Sequence, residues 1–195
     1  RGQGPRFRAP QRNRQSHAKR LLRQFKTLKR EYKTLSEERS EFGFDPQAGL
    51  VLQFESAPDF DLKFESLDLR TQGIELLSLR QSEGKTIAVC YVPDGKLEHF
   101  ISRIEEYRTQ ETHQGTPKHR ALVESIEAVH LAAVEALWTD STPLPTDDES
   151  IWWEIWIRGE GEALVDTLKS AARVAGFSLS NERLYFPERT VVTAN

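Results

Sequence analysis

Between residues 16 and 39 the apolar positions Ala18, Leu21, Phe25, Leu28, Tyr32 and Leu35 recur at spacings of three, four, three, four and three. Such spacing predicts a helix with an a/d seam, sustained for about two and a half heptads. Leu22 widens the seam, and Glu37, Glu38, Glu41 and Gly43 close the helix. The period then changes. Asp45-Pro46 opens a region of short strands over 50–55, 74–80 and 86–92, the last two joined by the turn signal Ser82-Glu83-Gly84-Lys85. Residues 57–72 have no clean period and read as a short helix or an irregular crossover. Leu97, Phe100, Ile101 and Ile104 lie on one face of a helix over 96–107. Residues 109–119 are a polar loop. Leu122, Ile126, Val129, Ala133, Val134 and Leu137 predict a further helix over 117–138.

Residues 151–158 alternate strictly. Ile151, Trp153, Ile155 and Ile157 point one way, and Trp152, Glu154, Trp156 and Arg158 the other. This strand is expected to be central and to complete a β-α-β-β-α-β set begun by the strands before it. Trp153 would sit in the core with the three Ile, and Trp152 and Trp156 would lie under the 117–138 or the 16–39 helix. After a Gly159-Glu160-Gly161 turn come a helix over 162–175, capped by Gly176, and two strands over 177–186 and 189–193. The expected fold is α+β: ferredoxin-like antiparallel sheet or sheets with packed helices, plus a long basic N-terminal helix. The expected domains are a basic arm and helix, 1–43, and an α+β domain, 44–195. The latter divides into sub-units 44–110 and 150–195, bridged by the 117–138 helix.

Charge changes the picture of the first helix. Residues 1–30 hold eleven of the 27 basic residues and none of the 30 acidic ones, although the net charge is −3. Arg and Gln among Gly2, Gly4, Pro5 and Pro10 make residues 1–13 an extended arm. An arm and helix this basic fit a polyanion or the acidic remainder of the chain. The seam itself has three readings: packing on the chain's own body, a coiled-coil contact with a partner or a second copy, and a free basic helix. Its candidate partner-binding residues are Leu21, Phe25, Leu28 and Tyr32, with Trp152 and Trp156 as the second candidate surface. Nucleic acid is the lesser reading, because only Phe7 and Phe25 interleave the basic residues as stacking platforms.

Catalytic chemistry finds no purchase. No Gly-rich phosphate loop, no G-x-S-x-G and no Cys/His set at zinc spacing is present, so no catalytic residue, metal or cofactor is assigned. His113 and His119 share one polar loop without a third ligand. Glu154, between Trp152 and Trp156, reads as a paired or rim-exposed acid. Cys90, mid-strand, reads as a small buried hydrophobe. One cysteine and no apolar stretch of the roughly 20 residues that spans a bilayer lead to an expectation of a reducing cytoplasm and no membrane. The chain starts at Arg1 and contains no Met, as expected of a piece of a longer protein.

Several runs carry a resemblance: Gly4-Pro5-Arg6-Phe7-Arg8-Ala9-Pro10, Arg14-Gln15-Ser16-His17-Ala18 and Leu21-Leu22. Further along are Gly73-Ile74-Glu75-Leu76-Leu77-Ser78, Val92-Pro93-Asp94-Gly95-Lys96-Leu97-Glu98-His99-Phe100 and Glu135-Ala136-Leu137-Trp138-Thr139-Asp140. Ile151-Trp152-Trp153-Glu154 and Phe186-Pro187-Glu188-Arg189-Thr190-Val191-Val192 complete the set. Over nearly the whole chain this resembles the amino-terminal region of bacterial subtilisin-like serine proteases of the S8 family, of the type encoded beside an AAA ATPase. The resemblance implies a non-catalytic region ahead of an Asp/His/Ser protease domain, so no triad residue is carried over. It implies a propeptide-like or regulatory role: inhibition, folding assistance or partner docking. The implied partners are the protease domain of the same parent chain and the AAA ATPase, and the gene pairing implies a part in phage defence. The long basic helix and the 117–138 helix depart from a simple propeptide.

Overall fold

The computed structural model describes residues 8–138, 143–146, 150–159 and 161–195. The extended reading of residues 1–7, the loop reading of 139–142 and 147–149, and Glu160 of the glycine turn lie outside the described residues. The chain divides into two compact units, Arg1–Thr34 with Gln47–Thr139, and Leu35–Pro46 with Asp140–Asn195.

The first unit is built on helix α1, Arg14–Glu41, which belongs to it as far as Thr34. Asn13 caps it: its side-chain oxygen accepts from the Ser16 backbone N–H at 3.0 Å. The first four positions of the predicted seam are buried, with Ala18, Leu21 and Phe25 at 0% exposure and Leu28 at 1%, while Tyr32 and Leu35 are half-buried. The buried part packs on the chain's own body. Strands β1 (Leu50–Glu55), β2 (Glu75–Ser82), β3 (Lys85–Val92) and β4 (Ala128–Leu131) form one sheet in the order β2-β3-β1-β4, antiparallel throughout. That is the strand order of the split β-α-β fold. Its first crossover is not a helix but two single 3-10 turns, Phe64–Ser66 and Arg70–Gln72. Helix α2, Leu97–Thr109, makes the second crossover. Phe25 of α1 stacks on Phe100 of α2 at 5.8 Å between ring centroids, and Phe100 meets Phe54 of β1 at 5.3 Å. These three rings tie α1, α2 and the sheet into one core. Gly49, leading into β1, is required: its φ is +78°, and a Cβ there would lie 2.6 Å from the Val92 carbonyl oxygen.

The predicted 117–138 helix is a misreading of period. The segment is a short helix α3 (Arg120–Ser125), strand β4 and a single-turn helix α4 (Val134–Leu137). Buried Ser125 ends α3: its hydroxyl donates to the Leu122 carbonyl at 2.6 Å and accepts from the Lys63 N–H at 3.1 Å. Ile126 is extended, and β4 then pairs with the open side of β1. Backbone bonding to β1 outweighs the helical spacing of Ile126 and Val129, both β-branched and at home in a strand. The fourth strand of the first set is therefore β4, not the Trp-rich strand.

The second unit contains β5 (Trp153–Arg158), α5 (Glu162–Ala175), β6 (Leu179–Phe186) and β7 (Arg189–Ala194). Its sheet is antiparallel in the order β5-β7-β6. The Trp-rich strand is thus an edge, and β7 is the central strand. Thr190, Val191, Val192 and Ala194 are all buried, as a strand with neighbours on both sides and small β-branched residues requires. Trp153, Ile155 and Ile157 are only half-buried, so they do not form the deep core expected of them.

Among the described residues no helix is long and apolar enough to cross a membrane.

Candidate docking surface

Residues directly opposite in neighbouring strands share a face. The register sets Trp156 opposite Val191 and Val191 opposite Leu184; it sets Arg158 opposite Arg189 and Arg189 opposite Phe186. Glu154 lies opposite Thr193. One face of the second sheet therefore carries Trp156, Leu184, Phe186, Arg158, Arg189 and Glu154, with Trp152 at the head of β5. The other face takes α5: Arg183 and Tyr185 there both reach the Glu162 carboxylate in its first turn. Those two bonds hold the Glu162 carboxyl below the usual carboxylate range.

The face away from α5 is open. Trp152 is 61% exposed, Trp156 58%, Leu184 60% and Phe186 43%. The expectation that both Trp lie under a helix is therefore corrected. The Trp156 and Phe186 rings stack at 5.7 Å with 10° between their planes. They come from the two outer strands and close over the central one, which is why Val191 between them is buried. The Trp156 indole N–H donates to Glu154, so this acid is a partner of the ring beside it. Large exposed aromatics flanked by Arg are the composition that protein interfaces select.

The other candidate residues belong to the first unit. Leu21, Phe25 and Leu28 are consumed by the core of the first unit, and Tyr32 is half-buried. An inward seam cannot also be an accessible coiled-coil contact. Leu184 and Phe186 escaped sequence reasoning. Their period-two spacing was readable, but nothing in the sequence says that β7 separates β6 from β5.

His17, His119, Glu55 and Cys90 of the first unit are tied into structure. The His17 ring is buried; Nε2 donates to the Val123 carbonyl at 2.9 Å and Nδ1 accepts from Arg20 at 3.1 Å. Burial pushes its pKa below the ordinary value, against the pull of the Val123 carbonyl. His119 sits in a left-handed turn, φ +54°, with Nε2 2.9 Å from the Glu106 carboxylate. Glu55 holds Gln53, Lys85 and His130 at 2.8–3.2 Å. Burial raises its pKa, but the bonds from His130, Gln53 and Lys85 outweigh that, and the net shift is downward. Cys90 is buried and its thiol is pushed up to about 12 by burial, with Asp68 adding to the shift. Among the described residues no group of three or more His, Cys, Asp or Glu could hold a metal ion.

Compared with known proteins, the chain matches one family model, described as Y4kK N-terminal domain, over residues 15–133. That span covers more than half of the 195 residues and runs from the start of α1 to just beyond β4, the body of the first unit. No curated protein and no solved structure matches.

Proposed function

The chain belongs to the family of Y4kK N-terminal domains; on the resemblance that its sequence runs carry, we propose that it is a non-catalytic docking domain, propeptide-like in role, for a subtilisin-like S8 serine protease domain of the same parent chain. The observation that carries the proposal is the open aromatic face of the second sheet, with Trp156 stacked on Phe186 and Trp152 and Leu184 beside them. A family described as an N-terminal domain is in keeping with a role ahead of a further domain. The antiparallel split β-α-β order of the first unit is the architecture expected of such a region. In this reading the domain works in the cytoplasm, and the companion AAA ATPase and phage defence are its setting.

The test adds this chain to the separately prepared protease domain of the parent. Peptidase activity should fall, or the refolding yield of the protease should rise. Trp156→Ala with Phe186→Ala should weaken the effect at least tenfold, because desolvated aromatic anchors at an interface contribute about 2 kcal/mol or more. No effect on either readout, or an effect that both substitutions leave intact, refutes the proposal.

A further inference from the structure

We infer that the solvent face of α1 is a nucleic-acid-binding surface that grips the phosphodiester backbone without reading sequence. The basic residues of the N-terminal region divide into two sets with different work. Arg12 and Arg20 pair with Glu127 at 2.5 and 2.8 Å. Arg14 donates to the Tyr107 and Gln110 carbonyls and pairs with Glu111. These three fasten α1 to the rest of its unit. The second set is Lys19, Arg23, Lys26 and Arg30, all exposed and none in an ion pair among the described residues. Arg30 makes only a bond to the Thr27 hydroxyl, 3.2 Å away.

The second set is spaced four, three and four residues apart, so it forms a single row along the helix. At a rise of about 1.5 Å per residue the row is about 16 Å long, the axial rise of about five nucleotides of one strand at 3.4 Å each. Lys33 lies beyond it, Lys29 beside it pairs with Glu98, and Glu31 is the sole acid from residue 14 to residue 36. A row of equal cations at near-regular intervals complements a row of equal phosphates.

The burial pattern selects among polyanions. A membrane-surface helix inserts its apolar face, but here Leu21, Phe25 and Leu28 are already inside the protein. The row carries no aromatic residue for base stacking, so affinity comes from phosphate contacts and counterion release alone.

The test is fluorescence anisotropy of the whole chain with a labelled duplex DNA and a labelled single-stranded RNA, each of about 20 nucleotides per strand, at roughly 50 and 200 mM salt. Four phosphate contacts give a slope of log K against log salt of about −3.6 for duplex and about −2.8 for single strands, so duplex affinity should fall about 150-fold over that range. Combining Lys19→Gln, Arg23→Gln, Lys26→Gln and Arg30→Gln should abolish binding and leave thermal melting unchanged, since all four side chains are exposed. A control with Arg70, Arg80, Lys169 and Arg173 changed to Gln has the same net charge and should bind like the parent chain. The inference is overturned by a flat curve with both probes at the lower salt, by equal loss in the control, or by tighter binding to phosphatidylserine vesicles than to either nucleic acid.

Discussion

Phe25→Ala decides whether α1 is part of the first unit or an arm laid upon it. The Phe25 ring is fully buried, stacks on Phe100 at 5.8 Å and reaches Phe54 through it. Truncating a buried Phe costs about 3–5 kcal/mol, the aromatic pairing included. The unit comprises Arg1–Thr34 and Gln47–Thr139. Near 60 °C its unfolding entropy, at about 2.1 cal/mol/K per residue, is on the order of 0.27 kcal/mol/K. A loss of about 4 kcal/mol therefore lowers the melting temperature by about 15 °C. Thermal denaturation followed by far-UV circular dichroism measures this, with Leu79→Ala as the comparison. Leu79 lies on β2 of the same unit and is 43% exposed, so its truncation should move the melt by no more than about 2 °C. Equal shifts in the two variants, or a Phe25→Ala shift under about 4 °C, refute the reasoning and return α1 to the role of a detachable docking helix.

Three further outcomes follow from the first unit. The folded pKa of His17 is lowered by burial, so the unfolded chain binds the proton more tightly. Stability is complete above the unfolded value near 6.5 and is lost as pH falls toward the folded value, with a slope of up to about 1.4 kcal/mol per pH unit. His99 shifts in the same direction, so urea titrations should show His17→Gln reducing that slope without flattening it. Gly49→Ala places a Cβ against the Val92 carbonyl at a left-handed φ, and chemical denaturation should show a loss of about 1–3 kcal/mol. Cys90 should not react with a thiol-specific chromogenic reagent at pH 8 until the chain is denatured, because its thiol is pushed up to about 12 behind a buried strand.

The sequence pattern was legible wherever local period and tertiary environment agree. The α1 seam, the hairpin turn between β2 and β3 and the strict alternation of β5 all appear where the spacing puts them. It was illegible where a sheet edge competes with helix spacing. The Ile126, Val129, Ala133 series satisfies a helix on paper, yet β1 has an open side, and four residues of β4 close it. The Trp strand failed for a different reason. Alternation reports which residues share a face, not which face is covered or which strand is central. Three Trp in eight residues signal aromatic area, and here Trp152 and Trp156 spend that area on solvent while the small residues of β7 occupy the centre.

The two candidate surfaces are also not interchangeable. To use the α1 seam for docking, the chain would have to lift Leu21, Phe25 and Leu28 out of the first unit. Exposing three such side chains costs about 1.5–3 kcal/mol each, and Phe54 and Phe100 would be uncovered with them. The sum approaches the whole stability of an ordinary domain, about 5–15 kcal/mol, and any partner would have to offset it before gaining affinity. Docking through the β5-β7-β6 face has no such cost, since Trp152, Trp156, Leu184 and Phe186 are exposed already. Burial of Leu21, Phe25 and Leu28 therefore leaves α1 chiefly its polar face for binding, and that face is basic. A protein partner that needs apolar area is directed to the second sheet, and a polyanion to the first helix, so substitutions on one surface should leave binding at the other unchanged.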